Sequence, residues 1–118
     1  MSTRSRIGIQ LNDGTVKSIY CHHDGYKEYV GKILKEYYTN PDDIEKLVDL
    51  GDISSLCKTV EETAKEAYGD SPARTDKSYY EFYDKIGKCA EEFTYIFMED
   101  YTGAYTWHCA ETPYFDTF

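Results

Sequence analysis

The stretch SRIGIQLNDGTVKSIYC, residues 5–21, decides how the fold begins. Apolar side chains occupy every second position before its turn, at Ile7, Ile9 and Leu11. This period of two is typical of a strand with one buried face. Asp13 and Gly14 then supply the positive φ angles that a tight hairpin turn requires, and residues 16–21 return as a second strand. We therefore predict an N-terminal β-hairpin.

A helix is predicted directly after the hairpin, from Tyr26 to Tyr38. Its apolar side chains recur at helical spacing, at Val30, Ile33, Leu34 and Tyr37. A second helix is predicted after Asn40, a good capping residue, with Pro41 in the first helical position. Gly51 is expected to end it.

Two further helices are predicted from capping boxes, in which a Ser or Thr side chain is followed three residues later by Glu. The box at residues 59–62 begins a short helix ending at Gly69, and the box at residues 78–81 begins another that reaches about Ala90. Residues 69–77 between them are rich in loop-forming residues and are predicted to be a flexible loop.

The C-terminal third returns to a strand pattern. Residues 93–98 and 104–109 are rich in aromatic and β-branched residues, and Gly103 lies late in the loop between them, as in a second hairpin. Two hairpins that enclose helices predict an α+β fold, with an antiparallel sheet built from the N- and C-terminal hairpins and helices packed on one face. A chain of 118 residues is expected to form a single domain, residues 1–118.

The composition restricts the class of partner. The chain has 22 acidic and 13 basic residues, a net charge of −9, and 13 tyrosines. A negative surface repels phosphate backbones, so we expect no direct binding to nucleic acid and a preference for a basic protein. The tyrosines suit an interface. The alternative is that acidity only maintains solubility and that tyrosines fill the edges of the core.

The sequence also predicts a cytoplasmic location. The first ten residues, MSTRSRIGIQ, lack the apolar run of a signal peptide, and no stretch approaches the ~20 apolar residues of a membrane span. The four cysteines are therefore expected to be reduced, which favours metal binding or burial over disulfides. They are Cys21, Cys57, Cys89 and Cys109.

Thiols and imidazoles lie near the predicted strand ends. YCHHDG, residues 20–25, ends the first hairpin with one cysteine and two histidines, and a His-Cys pair ends the second. If both hairpins belong to one sheet, these ends meet and supply the Cys2His2 set of a structural zinc site. Its predicted ligands are Cys21, His22, His108 and Cys109. The spacing is not that of a zinc motif, so small buried thiols and ordinary loop histidines remain the alternative.

Catalysis finds less support in the sequence, and we expect a protein that is not an enzyme. The chain contains no GxSxG elbow, no P-loop and no GxGxxG motif. The alternative is a metal- or thiol-dependent hydrolase that uses Cys21, His22 and His108, with Asp24 orienting the base. Asp24 is interpreted instead as the cap of the helix that follows it.

The N-terminal half resembles a family of small phage-encoded proteins whose function is mostly unassigned. The resemblance runs from residue 2 to about residue 56 and is carried by the pattern S-x-I-x-x-x-x-x-D-G-x-x-x-x-I-Y-C-H-x-D-G-Y. Cys21 and His22 belong to this pattern, whereas His23 occupies a variable position, which favours His22 as a ligand. The pattern includes no C-terminal His-Cys pair, so zinc is predicted for this chain alone.

The resemblance, together with the charge of −9, implies an anti-CRISPR-like inhibitor of a host defence system. CRISPR effectors hold nucleic acid in positively charged channels, which an acidic domain can block. The expected partner is a basic host protein such as a CRISPR effector nuclease. Candidate contacts, for which ordinary solvation is the alternative, are Asp42, Asp43, Glu61, Glu62, Glu91 and Glu92. A phage regulatory or structural protein without a defence role is the remaining alternative.

Overall fold

The computed structural model describes residues 3–88 and 90–111 and, for the backbone alone, residues 114–117. Cys89, which was expected to be reduced, lies outside the described residues. Six strands of the described chain form one sheet in the order β3-β2-β1-β4-β5-β6. They are β1 (Ser5–Gln10), β2 (Val16–Cys21), β3 (Arg74–Asp76), β4 (Phe93–Glu99), β5 (Tyr105–Glu111) and β6 (Tyr114–Thr117).

Five helical segments accompany these strands in the described residues. They are a π-helical turn (Lys27–Gly31), α1 (Lys32–Tyr37), α2 (Pro41–Asp49), α3 (Val60–Ala64) and α4 (Tyr79–Asp84). The predicted capping residues are confirmed: the Asn40, Thr59 and Ser78 side chains each accept a hydrogen bond from a main-chain amide of the first turn. None of these helices has the length and apolar composition of a helix that crosses a membrane.

Both predicted hairpins are present and use the same kind of turn. In the first, Gly14 has a φ of +89° and the Asp13 carboxylate accepts a hydrogen bond from the Thr15 amide. In the second, Gly103 has a φ of +88° and the Asp100 carboxylate accepts one from Thr102. In each turn, glycine takes the left-handed conformation that other residues adopt only at a cost.

The two hairpins join through a parallel pairing of β1 with β4, in which Ile7 lies opposite Tyr95. The prediction of an α+β fold is therefore confirmed; the sheet, predicted to be antiparallel, is mostly so, with one parallel pair among the described strands. Because antiparallel hairpins form between sequence neighbours, local patterns predicted them. The parallel pair joins segments more than eighty residues apart.

Side chains of a strand alternate between the two faces of the sheet. The first face, which includes Ile7, Ile19 and Tyr95, packs against the π-helical turn, α1 and α2 in the main hydrophobic core. The second face packs against α4, where Phe82 joins a small apolar cluster, so helices lie on both faces of the sheet and not on one face as predicted. The other buried members of that cluster are Val16, Ile96 and Met98.

The helix predicted from Tyr26 to Tyr38 differs from expectation at both ends. It begins as a π-helical turn with no side-chain cap, and Asp24 contributes its main-chain carbonyl, which accepts a hydrogen bond from the Val30 amide at 3.3 Å. The interpretation of the Asp24 carboxylate as a cap is therefore wrong. At the other end, Tyr38 is buried while Tyr37 is 45% exposed, so Tyr38 occupies the core position predicted for Tyr37.

The segment after α2 holds more regular pairing than the sequence indicates. The Ser54 amide donates to the Glu66 carbonyl, so α3 ends at Ala64 rather than at Gly69. Within the predicted flexible loop of residues 69–77, β3 pairs with β2 as an edge strand. Helix α4 likewise ends early, at Asp84, before a turn in which Gly87 has a φ of +78°.

Candidate partner-binding surface

The predicted zinc ligands lie on one sheet but are not brought together. Cys21 ends β2 and Cys109 lies in β5, with β1 and β4 between them. Adjacent strands are about 4.8 Å apart, so these cysteines are separated by roughly 14 Å across the sheet. Two thiolates on one zinc ion lie only about 4 Å apart, because each Zn–S bond is about 2.3 Å long. One ion therefore cannot contact both.

The two predicted histidine ligands make other contacts. His22 follows β2, and its Nδ1 lies 2.8 Å from the Tyr20 hydroxyl. The His108 side chain lies on the opposite face of the sheet from that of Cys109, because neighbouring strand residues alternate. Within the described residues, no group of three His, Cys, Asp or Glu side chains is placed to hold a metal ion. The zinc site predicted to include Cys21 is therefore not assembled in this structure.

The thiol-based hydrolase alternative also lacks its geometry. Cys21 is fully buried, and this burial raises the pKa of its thiol to about 11. The nucleophilic thiolate is therefore scarce at neutral pH. His108, the intended base, lies on β5 with its side chain on the face of the sheet away from Cys21. The Cys21–His108 pair is not formed.

The YCHHDGY motif, residues 20–26, forms a tightly packed corner between the sheet and the first helix. A Cβ atom added at Gly25 would lie 2.6 Å from the Ser5 Cβ, so only glycine fits. The Gly25 amide donates to the Thr3 carbonyl at 2.8 Å, and the Gly25 carbonyl accepts from the buried Tyr95 hydroxyl at 2.7 Å. Packing and hydrogen bonding of the corner thus explain the glycine at position 25.

The six acidic residues predicted to contact a partner lie in different parts of the structure and differ in solvent exposure. Glu91 is 3% exposed, and its Oε2 lies 2.7 Å from Arg6 Nε in a buried ion pair. The assignment of Glu91 as a partner contact is therefore wrong. Glu92 is exposed and accepts a hydrogen bond from the Arg4 amide at 3.3 Å.

Five exposed carboxylates of α2 and α3 form what we call the acidic surface. They are Asp42, Glu45, Asp49, Glu61 and Glu62. The three on α2 recur at spacings of three and four residues, which places them on one side of the helix. The other side of α2 is buried through Ile44, Leu47 and Val48. Helix α3 packs against α2, and Glu61 lines a groove together with Asp43 and Lys46 of α2, so the carboxylates of α3 adjoin those of α2.

The negative charge of the chain is concentrated around the acidic surface. Residues 40–70 contain nine carboxylates and three lysines, a net charge of −6 over 31 residues, whereas residues 71–118 carry −5 over 48 residues and residues 1–39 carry +2. Of the five surface carboxylates, Asp49 is paired with Lys17 Nζ at 2.6 Å. A cationic partner would therefore meet its strongest attraction at α2 and α3.

Asp43, the remaining predicted contact, is half-buried. It lines a groove of about 400 Å³ together with Lys46, Lys58 and Glu61. Two lysines and two carboxylates balance there, so Asp43 adds less to the negative potential than the exposed members of the acidic surface.

A second, larger groove of about 580 Å³ adjoins the acidic surface, and we call it the tyrosine groove. Tyr29 and Tyr37 are among its lining residues and are 37% and 45% exposed. Ile33 of α1 and Cys57, from the chain that leads to α3, also line it. The groove therefore combines aromatic walls with a partly apolar interior, as protein interfaces commonly do.

The rim of the tyrosine groove carries charge. Three carboxylates line it, those of Glu28, Glu36 and Glu62, together with Lys32 and Lys58. Burial, followed by the charges of Glu66 and Glu62, raises the pKa of the Cys57 thiol, as expected where the local potential is negative.

Sequence reasoning missed the tyrosine groove because it placed Tyr37 in the core. A second pattern was available in the same segment. Tyr26, Tyr29, Ile33 and Tyr37 recur at spacings of three and four residues, which places them on one side of a helix. Tyrosines on such a stripe can be read as half-exposed contacts as well as core residues.

No protein-family model, curated protein or solved structure matches this chain.

Proposed function

We propose that this protein acts by binding a basic protein through the acidic surface and so prevents that partner from loading nucleic acid. The observation that carries the proposal is the concentration of exposed carboxylates on α2 and α3. Carboxylates displayed in this way compete with phosphates for the same Lys and Arg side chains.

The acidic surface is suited to this role because it is rigidly supported. Three fully buried side chains anchor α2 against the sheet, at Ile44, Leu47 and Val48. The Asn40 side chain accepts from the Asp42 amide at 2.9 Å, which fixes the start of the helix. Charges held in place by a packed scaffold lose little conformational entropy when a partner binds.

The resemblance of residues 2–56 to phage-encoded proteins supports a more specific form of the proposal. The partner is then a nucleic-acid-targeting defence protein in the host cytoplasm, such as a CRISPR effector nuclease. Effectors of this kind hold their heteroduplex in a positively charged channel, which an acidic domain of this size can occupy.

The test compares two double variants with the same change in net charge. Glu45→Lys/Glu61→Lys reverses two charges of the acidic surface, whereas Asp84→Lys/Glu99→Lys reverses two exposed charges elsewhere. We expect the first to weaken binding to a purified CRISPR effector by about tenfold or more, and the second by about twofold. Wild-type binding should also weaken as salt rises, since exposed charges are screened.

Each outcome bears on a different part of the proposal. Equal weakening by both double variants would assign binding to net charge rather than to this surface. Binding that ignores salt and both variants would overturn the charge-based mechanism. Strong, surface-dependent binding to a basic protein outside host defence would retain the mechanism and replace the target.

A further inference from the structure

The tyrosine groove already holds one cation of the protein itself. Lys58 Nζ lies 5.4 Å from the centre of the Tyr37 ring, within the distance at which a cation is attracted to an aromatic face. Lys58 is exposed and comes from the chain just before α3, so it can leave the ring without disturbing the core. The Tyr37 ring is thus already in contact with a positive charge, and that charge belongs to an exposed side chain.

We propose that the tyrosine groove binds an arginine side chain of the basic partner, which displaces Lys58 from the Tyr37 ring. This inference rests on the proposed function, because it names the partner group that the surface next to α3 receives. Glu62 belongs both to the acidic surface and to the lining of the groove, so one partner segment can contact both.

Arginine fits this groove better than lysine for three reasons. Its planar guanidinium stacks on an aromatic ring, and it is less strongly hydrated than an ammonium group. It also donates several hydrogen bonds in a fixed fork, which carboxylates such as Glu36 and Glu62 can accept. The exposed halves of Tyr29 and Tyr37 supply area for its aliphatic stem.

The chemistry of the lining argues against an anionic occupant. Three carboxylates and two lysines line the groove, so a phosphate would meet net repulsion. A purely apolar side chain would leave these carboxylates partly desolvated without a partner. A cation with an apolar stem pairs with the carboxylates of the rim and packs against the apolar interior.

The groove is already shaped by internal hydrogen bonds. The Tyr29 hydroxyl donates to the Leu56 carbonyl at 3.3 Å, and the Tyr38 hydroxyl donates to the Cys57 carbonyl at 2.9 Å. The Cys57 amide donates to Thr63 Oγ1 at 3.0 Å. Tyr29 lies in the π-helical turn and Tyr38 directly follows α1, so these bonds hold the chain before α3 against the first helix, and the walls are ordered before a partner binds.

The test is an NMR titration with a Gly-Arg-Gly-Arg-Gly peptide and a matched peptide in which citrulline, a neutral analogue, replaces arginine. We expect the arginine peptide to shift the ring resonances of Tyr29 and Tyr37 and the citrulline peptide to bind about tenfold more weakly. Equal affinity of the two peptides would overturn the inference, as would shifts that leave Tyr37 unaffected.

Three variants separate the groove from general effects on structure. Tyr37→Leu should weaken binding of the arginine peptide about fivefold, whereas Tyr80→Leu, at a tyrosine that is 78% exposed on α4, should leave it unchanged. Lys58→Ala should strengthen it about threefold, because the competing cation is removed. A weakening by Lys58→Ala would contradict the inference, since a merely structural role for Lys58 predicts that sign.

Failure of this inference can be told apart from failure of the proposed function. If the peptide does not bind but binding of the basic partner still depends on Glu45 and Glu61, the inference about the groove is wrong and the proposed role of the acidic surface is retained. If the partner binds neither surface, both fall.

Discussion

One face of the sheet lies under the π-helical turn, α1 and α2 and buries mainly apolar side chains, whereas the other lies under α4 and buries several charged ones. On the second face, Arg6 is paired with Glu91, and Asp76 is contacted by Arg74 and Lys85. The same strands thus form two kinds of interior, one on each side.

The difference shows how each face is held. Apolar burial is nondirectional and tolerates modest changes of shape, so the first face supports a whole layer of helices. A buried ion pair contributes little net stability but is costly to break, because removing one partner leaves an uncompensated charge. The first face therefore supports the helices that carry the acidic surface. On the second face, the ion pairs favour the pairing of particular segments, such as that of Arg6 in β1 with Glu91 before β4.

The largest expected effect tests the apolar part of the second face. Phe82→Ala should lower the free energy of unfolding by about 4 kcal/mol, because Phe82 is fully buried in a cluster with few other apolar members. Chemical denaturation measures this loss. Tyr80→Ala, at a neighbour that is 78% exposed, is the control and should change stability by less than about 0.5 kcal/mol. A loss for Phe82→Ala that is no larger than the control would mean that α4 does not close this face.

The next effect tests the ion pair. Glu91→Ala should destabilise the fold by about 3 kcal/mol, because the buried Arg6 charge loses its counter-ion and is left with a hydrogen bond to the Ser18 hydroxyl. The double variant Arg6→Met/Glu91→Leu should recover most of that loss, since it removes both charges and retains their volume. If the double variant is as unstable as Glu91→Ala, the loss of stability does not come from the uncompensated charge of Arg6.

A smaller effect tests a buried hydroxyl on the first face. Tyr95→Phe removes the hydroxyl that donates to the Gly25 carbonyl at 2.7 Å, and it leaves that carbonyl without this donor. We expect a loss of about 1.5 kcal/mol, measured by thermal or chemical unfolding. Tyr105→Phe, at a 38% exposed tyrosine, is the matched control. Equal effects of the two changes would show that the corner at Gly25 does not depend on this bond.

The smallest effect is confined to acid. Burial alone would raise the pKa of Asp76, but the hydrogen bonds and charges of Lys85 and Arg74 outweigh burial and hold the pKa below the usual 3.8. The folded state therefore gains stability from Asp76 above pH 3.8 and loses it as the pH falls through the lowered pKa. Unfolding of wild type and Asp76→Asn between pH 2 and 5 measures this loss, and the variant should show a shallower pH dependence. If the free energy of unfolding falls equally in the two proteins as the pH decreases, other carboxylates cause the acid sensitivity.

Much of the fold could be predicted because it follows from local patterns. Period-two alternation and a well-placed glycine identified both hairpins, and Asn40, Thr59 and Ser78 identified three helix starts. In each case the residues that make the signal lie within a few positions of the contacts that they form. Such features depend on backbone geometry and first-turn hydrogen bonds.

The candidate site could be predicted only in part. The carboxylates at Asp42, Glu61 and Glu62 are exposed as the charge pattern suggested, but Glu91 is buried because Arg6 lies within 2.7 Å. The spacing of apolar residues could not decide whether Tyr37 or Tyr38 lies in the core. The π-helical turn shifts the helical phase before α1, and Tyr38 turns inward to contact the chain near Cys57.

The sequence by itself determined the two hairpins with their turn glycines, the helix caps at Asn40, Thr59 and Ser78, and the excess of negative charge in residues 40–70. The tertiary structure alone decided the parallel pairing of β1 with β4, the burial of Glu91, the separation of Cys21 from Cys109, and the tyrosine groove. The physical reason is distance along the chain. Local signals arise from neighbouring residues. These features instead involve segments that are far apart in the sequence, and the order of the strands in the whole sheet decides which of them come together.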